Sequence, residues 1–114
     1  MTGFMPTDAA VLDRVFSALS DATRREVIRQ LAQGDAMVTE LARSHGMSLP
    51  GFMKHLRVLE ETGVVTRVAE GRSHRLSIEP DVLSVAADWM DRQRALWVRL
   101  FDVVDEYLKE EPSQ

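Results

Sequence analysis

From Pro80 to Leu108 nothing in this 114-residue chain interrupts a helix: 29 residues follow without a glycine or a second proline. At 1.5 Å per residue that is about 43 Å, far more helix than one small core can cover. Its apolar positions form two adjacent stripes. One is Leu83, Ala87, Met90, Trp97, Phe101, Val104 and Leu108; the other is Val82, Ala86, Trp89, Leu96, Leu100, Val103 and Tyr107. A single contact with a core uses one stripe of about 100°. Two stripes therefore predict two partners, the chain's own core and a second protomer.

Ahead of that helix the chain reads as short helices and a hairpin. Thr7, followed by Asp8, is a good N-cap for a helix over 8–19 that buries Leu12, Val15, Phe16 and Leu19. Ser20 and Asp21 offer a second N-cap, and DATRREVIRQLAQ places Val27, Ile28 and Leu31 on one face before Gly34, suited to a left-handed C′ position. VTELARSH, residues 38–45, reads as a short helix; Gly46 and Met47 break it, and Ser48 caps a further helix from Leu49 to Thr62. The small Ala42 lets these two helices approach, while Met47, Phe52 and Leu56 fill the angle between them. VVTRV (64–68) and SHRLSI (73–78) are β-type runs joined through AEGR, with Gly71 free to turn. Arg67, Arg72, Ser73, His74 and Arg75 crowd this hairpin. A basic hairpin directly after a helix-turn-helix predicts a winged helix-turn-helix, mainly α with a small β-hairpin wing and five helices. In that arrangement a helix enters the major groove of duplex DNA while the wing reaches flanking backbone or the minor groove.

Composition agrees with one folded unit over 1–114: 45% hydrophobic, six glycines, four prolines, and no repeats or linker. Net charge is −4, which looks wrong for a DNA partner until it is placed along the chain. Residues 80–114 carry eight acids and four bases, whereas 43–75 carry six bases, three acids and all three histidines. The asymmetry matters more than the total. Absence of cysteine removes disulfides and thiolate metal sites. No apolar run is long enough to span a bilayer, and the start MTGFMPTDAAVLDRVF lacks a basic region followed by an apolar one, so a cytoplasmic protein without membrane contact is expected. There is no Cys nucleophile, HExxH motif or glycine-rich phosphate loop, which argues against an enzyme and leaves no cofactor implied.

The order SALSDATRREVIRQLAQG, VTELARSHGMSLPGFMKHLRVLEETGVVTRVAEGR and a long last helix resembles the ArsR/SmtB family of winged-helix transcriptional repressors, over roughly residues 12–108. The resemblance implies a homodimer packed through the first and last helices on a near-palindromic operator. Leu12, Val15, Phe16, Met90, Trp97, Phe101, Val104 and Leu108 are the expected interface. Candidate DNA contacts are Thr39 on the third helix, and Ser48, Leu49, Pro50, Met53, Lys54, His55 and Arg57 on the reading helix. Arg67, Arg72, Ser73, His74 and Arg75 add to them from the wing.

Departures from the family matter as well. Metal-sensing members carry a cysteine pair on the third helix or a His/Asp/Glu set on the last. Here the third helix is VTELARSH and the last has no histidine, so no metal response is expected, and Asp88, Asp91, Asp102, Asp105 and Glu106 read as a solvated face. Leu49 and Met53 replace the usual hydrogen-bonding readers; either they pack on thymine methyls or they pad the helix against the core. His55 reads as bonding across the helix corner. The Trp89 and Trp97 pattern resembles a subgroup often encoded beside small lipid- or polyketide-binding-fold proteins, which names no ligand; a small-molecule or protein effector stays open. The rival readings are a winged-helix protein-interaction module that has lost DNA binding, and a small-molecule sensor with its ligand between the tryptophan-bearing helices.

Overall fold

The computed structural model describes residues 6–110, with side chains from Ala9 onward. Along the chain come α1 (Pro6–Leu19), α2 (Ala22–Leu31), β1 (Ala36–Met37), α3 (Val38–Ser44), α4 (Leu49–Glu61), β2 (Val65–Glu70), β3 (Ser73–Ile78) and α5 (Pro80–Lys109). All five expected helices and the wing are present. The sheet has a third strand that the sequence did not announce: β1 pairs antiparallel with β3 in the order β1-β3-β2. Two residues carry no periodicity, so β1 has no sequence signal of its own. Helix α1 takes in Thr7, which was expected just before it; the Thr7 and Asp8 side chains and Met1–Met5 lie outside the described residues.

Helix ends show why these residues fold as they do. Asp21 caps α2, its Oδ2 accepting the Arg24 N–H at 3.0 Å. Arg24 then reaches back, Nε donating to the Ala18 carbonyl at 2.9 Å and Nη2 to that of Ser17 at 3.0 Å, while Arg25 Nη1 donates to Leu19 at 2.7 Å. Two guanidinium groups thus satisfy carbonyls that α1 would otherwise leave open. Helix α2 stops at Leu31 with Ala32 as its cap, so Gly34 lies beyond the expected C′ position. At the end of α3, Gly46 is left-handed (φ 64°), with Gly46 N–H donating to Arg43 and Met47 N–H to Ala42. That double closure turns the chain sharply into α4.

The core lies where α1, α2, α3, α4 and the sheet meet. Phe52, Leu56, Leu59, Leu76, Val15, Val27 and Val64 are fully buried there, each contributing roughly 1.5–3 kcal/mol by leaving water. Ala42 is buried at the α3–α4 approach, as its size suggested. Helix α5 behaves differently. Val82, Leu83 and Ala86 join the core and Trp89 meets Phe16 of α1 edge-on, ring centroids 5.7 Å apart. From Arg94 to Glu110 every residue is exposed. The radius of gyration is accordingly 19.6 Å, against about 13 Å for a compact chain of this length. The expected division, one stripe inward and one outward, is therefore corrected: the helix is divided along its axis, inner end against outer end.

Candidate nucleic-acid interface

Helix α4 presents the site because its buried stripe is so complete. With Phe52, Leu56 and Leu59 fixed inward, Pro50, Lys54, Arg57 and Glu61 recur at three- and four-residue spacing on the exposed side. Ser48 stands at the entrance, its Oγ accepting the Gly51 N–H at 3.2 Å. Leu49 is 46% exposed in the first turn, whereas Met53 packs against the core. Two residues equivalent in the sequence thus differ in burial, Leu49 being exposed and Met53 partly buried. Thr39 is exposed in the first turn of α3.

His55 faces the opposite edge of α4, Nδ1 lying 3.3 Å from Asp21 Oδ2. One carboxylate therefore caps α2 and holds α4. The Arg24 N–H, and after it the charge of His55, keep the Asp21 carboxyl below the ordinary range despite partial desolvation. His45 and Gln30 make a second tie, Nε2 to Oε1 at 2.9 Å, and the His45 ring lies 5.8 Å from that of Phe52. These contacts set the reading helix against α2 and α3. Sequence reasoning singled out His55 as structural but not its partner, because Asp21 is thirty-four residues away and looks fully employed as a cap.

In the wing, strand register sorts the basic residues. Gly71 (φ 63°) and Arg72 form a two-residue turn, and with positive φ at its first position alone the turn fits type II′. Paired residues share a face, so Arg67, Ala69, His74 and Leu76 lie on the core side with α4, while Val68, Glu70, Ser73 and Arg75 lie on the other. Arg67 Nε lies 2.8 Å from a carboxylate oxygen of Glu60 on α4, an ion pair that ties the wing to α4. Arg75 forms a two-pronged pair with Glu70. Arg72 at the tip, like Lys54 and Arg57 on α4, makes no ion pair among the described residues. Of the cations expected at DNA, Arg67 and Arg75 are thus already engaged by carboxylates. Glu70 lies within reach along the strands, but its pairing with Arg75 follows only from the register, and that of Arg67 with Glu60 only from the packing of the wing on α4.

The residues expected at a dimer interface also separate. Phe16, Met90, Trp97, Phe101, Val104 and Leu108 are exposed. Leu12 is half-buried against the core. Val15 is fully buried within the protomer and offers nothing to a partner, a correction that follows from its position on the inward face of α1.

Comparison with known proteins meets this geometry. A helix-turn-helix domain family model matches residues 19–68. The HTH-type transcriptional regulator Rv2034 of Mycobacterium tuberculosis is 34% identical over 76% of this chain and 78% of its own. The transcriptional repressor SdpR of Bacillus subtilis is 30% identical over 69% and 88% respectively. Among solved structures, the ArsR family transcriptional regulator RHA00566 is 39% identical with a TM-score of 0.70, over 76% of this chain and 96% of that one. The homodimeric winged helix-turn-helix DNA-binding domain Mb0332 of Mycobacterium bovis is 29% identical with a TM-score of 0.60, over 100% and 99%. Fold and relatives are those of regulators and not of enzymes: the chain belongs to the ArsR family of DNA-binding, winged helix-turn-helix transcriptional regulators.

Proposed function

We propose that two copies of this chain form a repressor on a near-palindromic operator, each α4 in a major groove and each wing tip on the flanking backbone. What carries the reading is the charge left over once ion pairs are removed. Lys54 and Arg57 on the open stripe of α4, and Arg72 at the wing tip, make no ion pair among the described residues, in a molecule whose total is −4. Leu49, beside them, is the apolar side chain available to a thymine methyl. Phosphate contacts then supply affinity and the first turns of α4 supply sequence preference.

The dimer rests on the outer half of α5, whose apolar stripes have no cover among the described residues. Mb0332 is homodimeric, and a two-fold dimer repeats its half-sites about one helical turn apart, ~34–36 Å. Repression follows SdpR in sign and the exclusion of other proteins from occupied duplex in mechanism. Independence of metals is supported by the donor set, which lacks cysteine altogether and histidine on α5. No described helix is long and apolar enough to cross a membrane, and the proposed location is the cytoplasm, with the DNA.

Selection from a random duplex library should return an inverted repeat. Light scattering at micromolar concentration should give twice the 12.9 kDa chain mass. A promoter carrying the selected site should fall silent when the protein is added, and stoichiometric zinc, cadmium, nickel or arsenite should not restore it. A library without enrichment, or a monomer, defeats the proposal.

A further inference from the structure

Arg75 and Glu70 share the wing face that turns away from α4. The register pairs Val68 with Arg75 and Glu70 with Ser73, so they are diagonal neighbours across the hairpin. Arg75 Nε donates to Glu70 Oε2 at 2.6 Å and Nη2 donates to Oε1 at 3.0 Å. Two parallel bonds of this kind use the same planar fork with which a guanidinium takes a phosphate. Arg75 stands two rungs further from the turn than Glu70, and the ion pair spans that diagonal. Both side chains are still about half exposed, at 41% and 48%, so no packing locks them together. The Arg75 bonds hold the Glu70 carboxyl below the ordinary range, and the grip therefore persists at neutral pH. Asp35 and Glu40 add a weaker negative field around Arg75.

We propose that Glu70 is a positioning residue for DNA binding that competes with the phosphate backbone for Arg75, so each wing offers the duplex the charge of Arg72 alone. The inference rests on the DNA-binding reading above and deepens it. Sequence-independent affinity grows with every phosphate neutralised, and its salt dependence steepens by about 0.9 per contact. A carboxylate that occupies the fork removes one contact per wing without touching α4. Its effect falls on all sequences equally, because backbone contacts carry no base information. An exposed ion pair suits this purpose: it is weak enough to attenuate binding without forbidding it.

The test measures duplex binding over a salt series for the full-length wild type, Glu70→Gln, Arg75→Gln and the double variant, each against a random-sequence duplex and the selected operator. Glu70 is exposed and the change isosteric, so unchanged circular dichroism and melting are expected. Glu70→Gln should tighten both duplexes by about two- to five-fold per wing at low salt. It should also steepen the salt slope by about 0.9 per wing. Arg75→Gln should leave the slope near that of the wild type, and the double variant should return to it. Three results would each overturn the proposal alone: a flattened slope in Arg75→Gln, no steepening in Glu70→Gln, or a steep slope retained in the double variant. A wild type that binds neither duplex at any salt defeats the DNA-binding reading itself, and this one with it.

Discussion

The two ends of α5 carry the same apolar pattern and meet opposite surroundings. At the inner end Val82, Leu83 and Ala86 close the core and Trp89 meets Phe16. At the outer end Leu100, Phe101, Val103 and Tyr107 stand 57% to 69% exposed. A stripe of leucines and aromatics specifies that surface must leave water; it does not say what will cover it. The inner end is covered within the chain, so its contribution to stability belongs to a single molecule. Cover for the outer end comes from a second molecule in the proposed dimer, so its contribution depends on concentration.

The largest effect that sharpens this contrast is in the closed core. Phe52 is fully buried between α4 and its neighbours, and Phe52→Ala should cost about 3–5 kcal/mol. In a domain this small that removes much of the stability, and denaturant melts should show the loss at every protein concentration. Phe101→Glu should act the other way. A charge placed in the outer apolar surface should cost the dimer about 3 kcal/mol, roughly a hundred-fold in its dissociation constant. Light scattering should then report monomer while the core keeps its circular dichroism. If Phe101→Glu instead unfolds the protein outright, or leaves a stable dimer, the two ends of α5 do not differ as argued.

Much of this division is legible in the sequence, and the remainder is not, for identifiable physical reasons. Helical spacing in α4 and α5, the caps at Asp21 and Ser48 and the turn at Gly71 are local signals, and each is where the sequence put it. Val15 was misassigned because α1 is apolar on a face wide enough for both a core and a partner, and periodicity alone does not rank them. Strand β1 needed β3 as its template. Arg75 reads as a free cation because an ion pair across strands depends on register, which hydrophobic alternation fixes only once the pairing is known, and Arg67 does so because its partner Glu60 lies on another element, α4. The candidate DNA surface was therefore found as a region, while its division into available and engaged charges came from geometry.

The smallest predicted effects compare polar contacts in the same two regions. Asp21 caps α2 and approaches His55 where elements converge; Lys109 and Asp105 meet at 3.5 Å on an open helix surface. Asp21→Ala should cost about 1 kcal/mol, as loss of an N-cap does. Asp105→Ala should cost about 0.3–0.5 kcal/mol at most, since exposed pairs four residues apart on a helix are worth no more. A pH series isolates the first contact. The folded-state carboxyl of Asp21 is lowered, so its charge contributes stability above the unfolded carboxylate value, about 3.9, and loses it as pH falls through the lower folded value. Asp21→Asn keeps an oxygen for the Arg24 N–H but carries no charge at any pH. The gap in stability between wild type and Asp21→Asn should thus shrink below about pH 4, where the carboxyl takes up its proton. A gap that widened below pH 4 would mean that the carboxylate is strained in the folded protein, and that the junction between α2 and α4 is held by something other than the cap and its histidine.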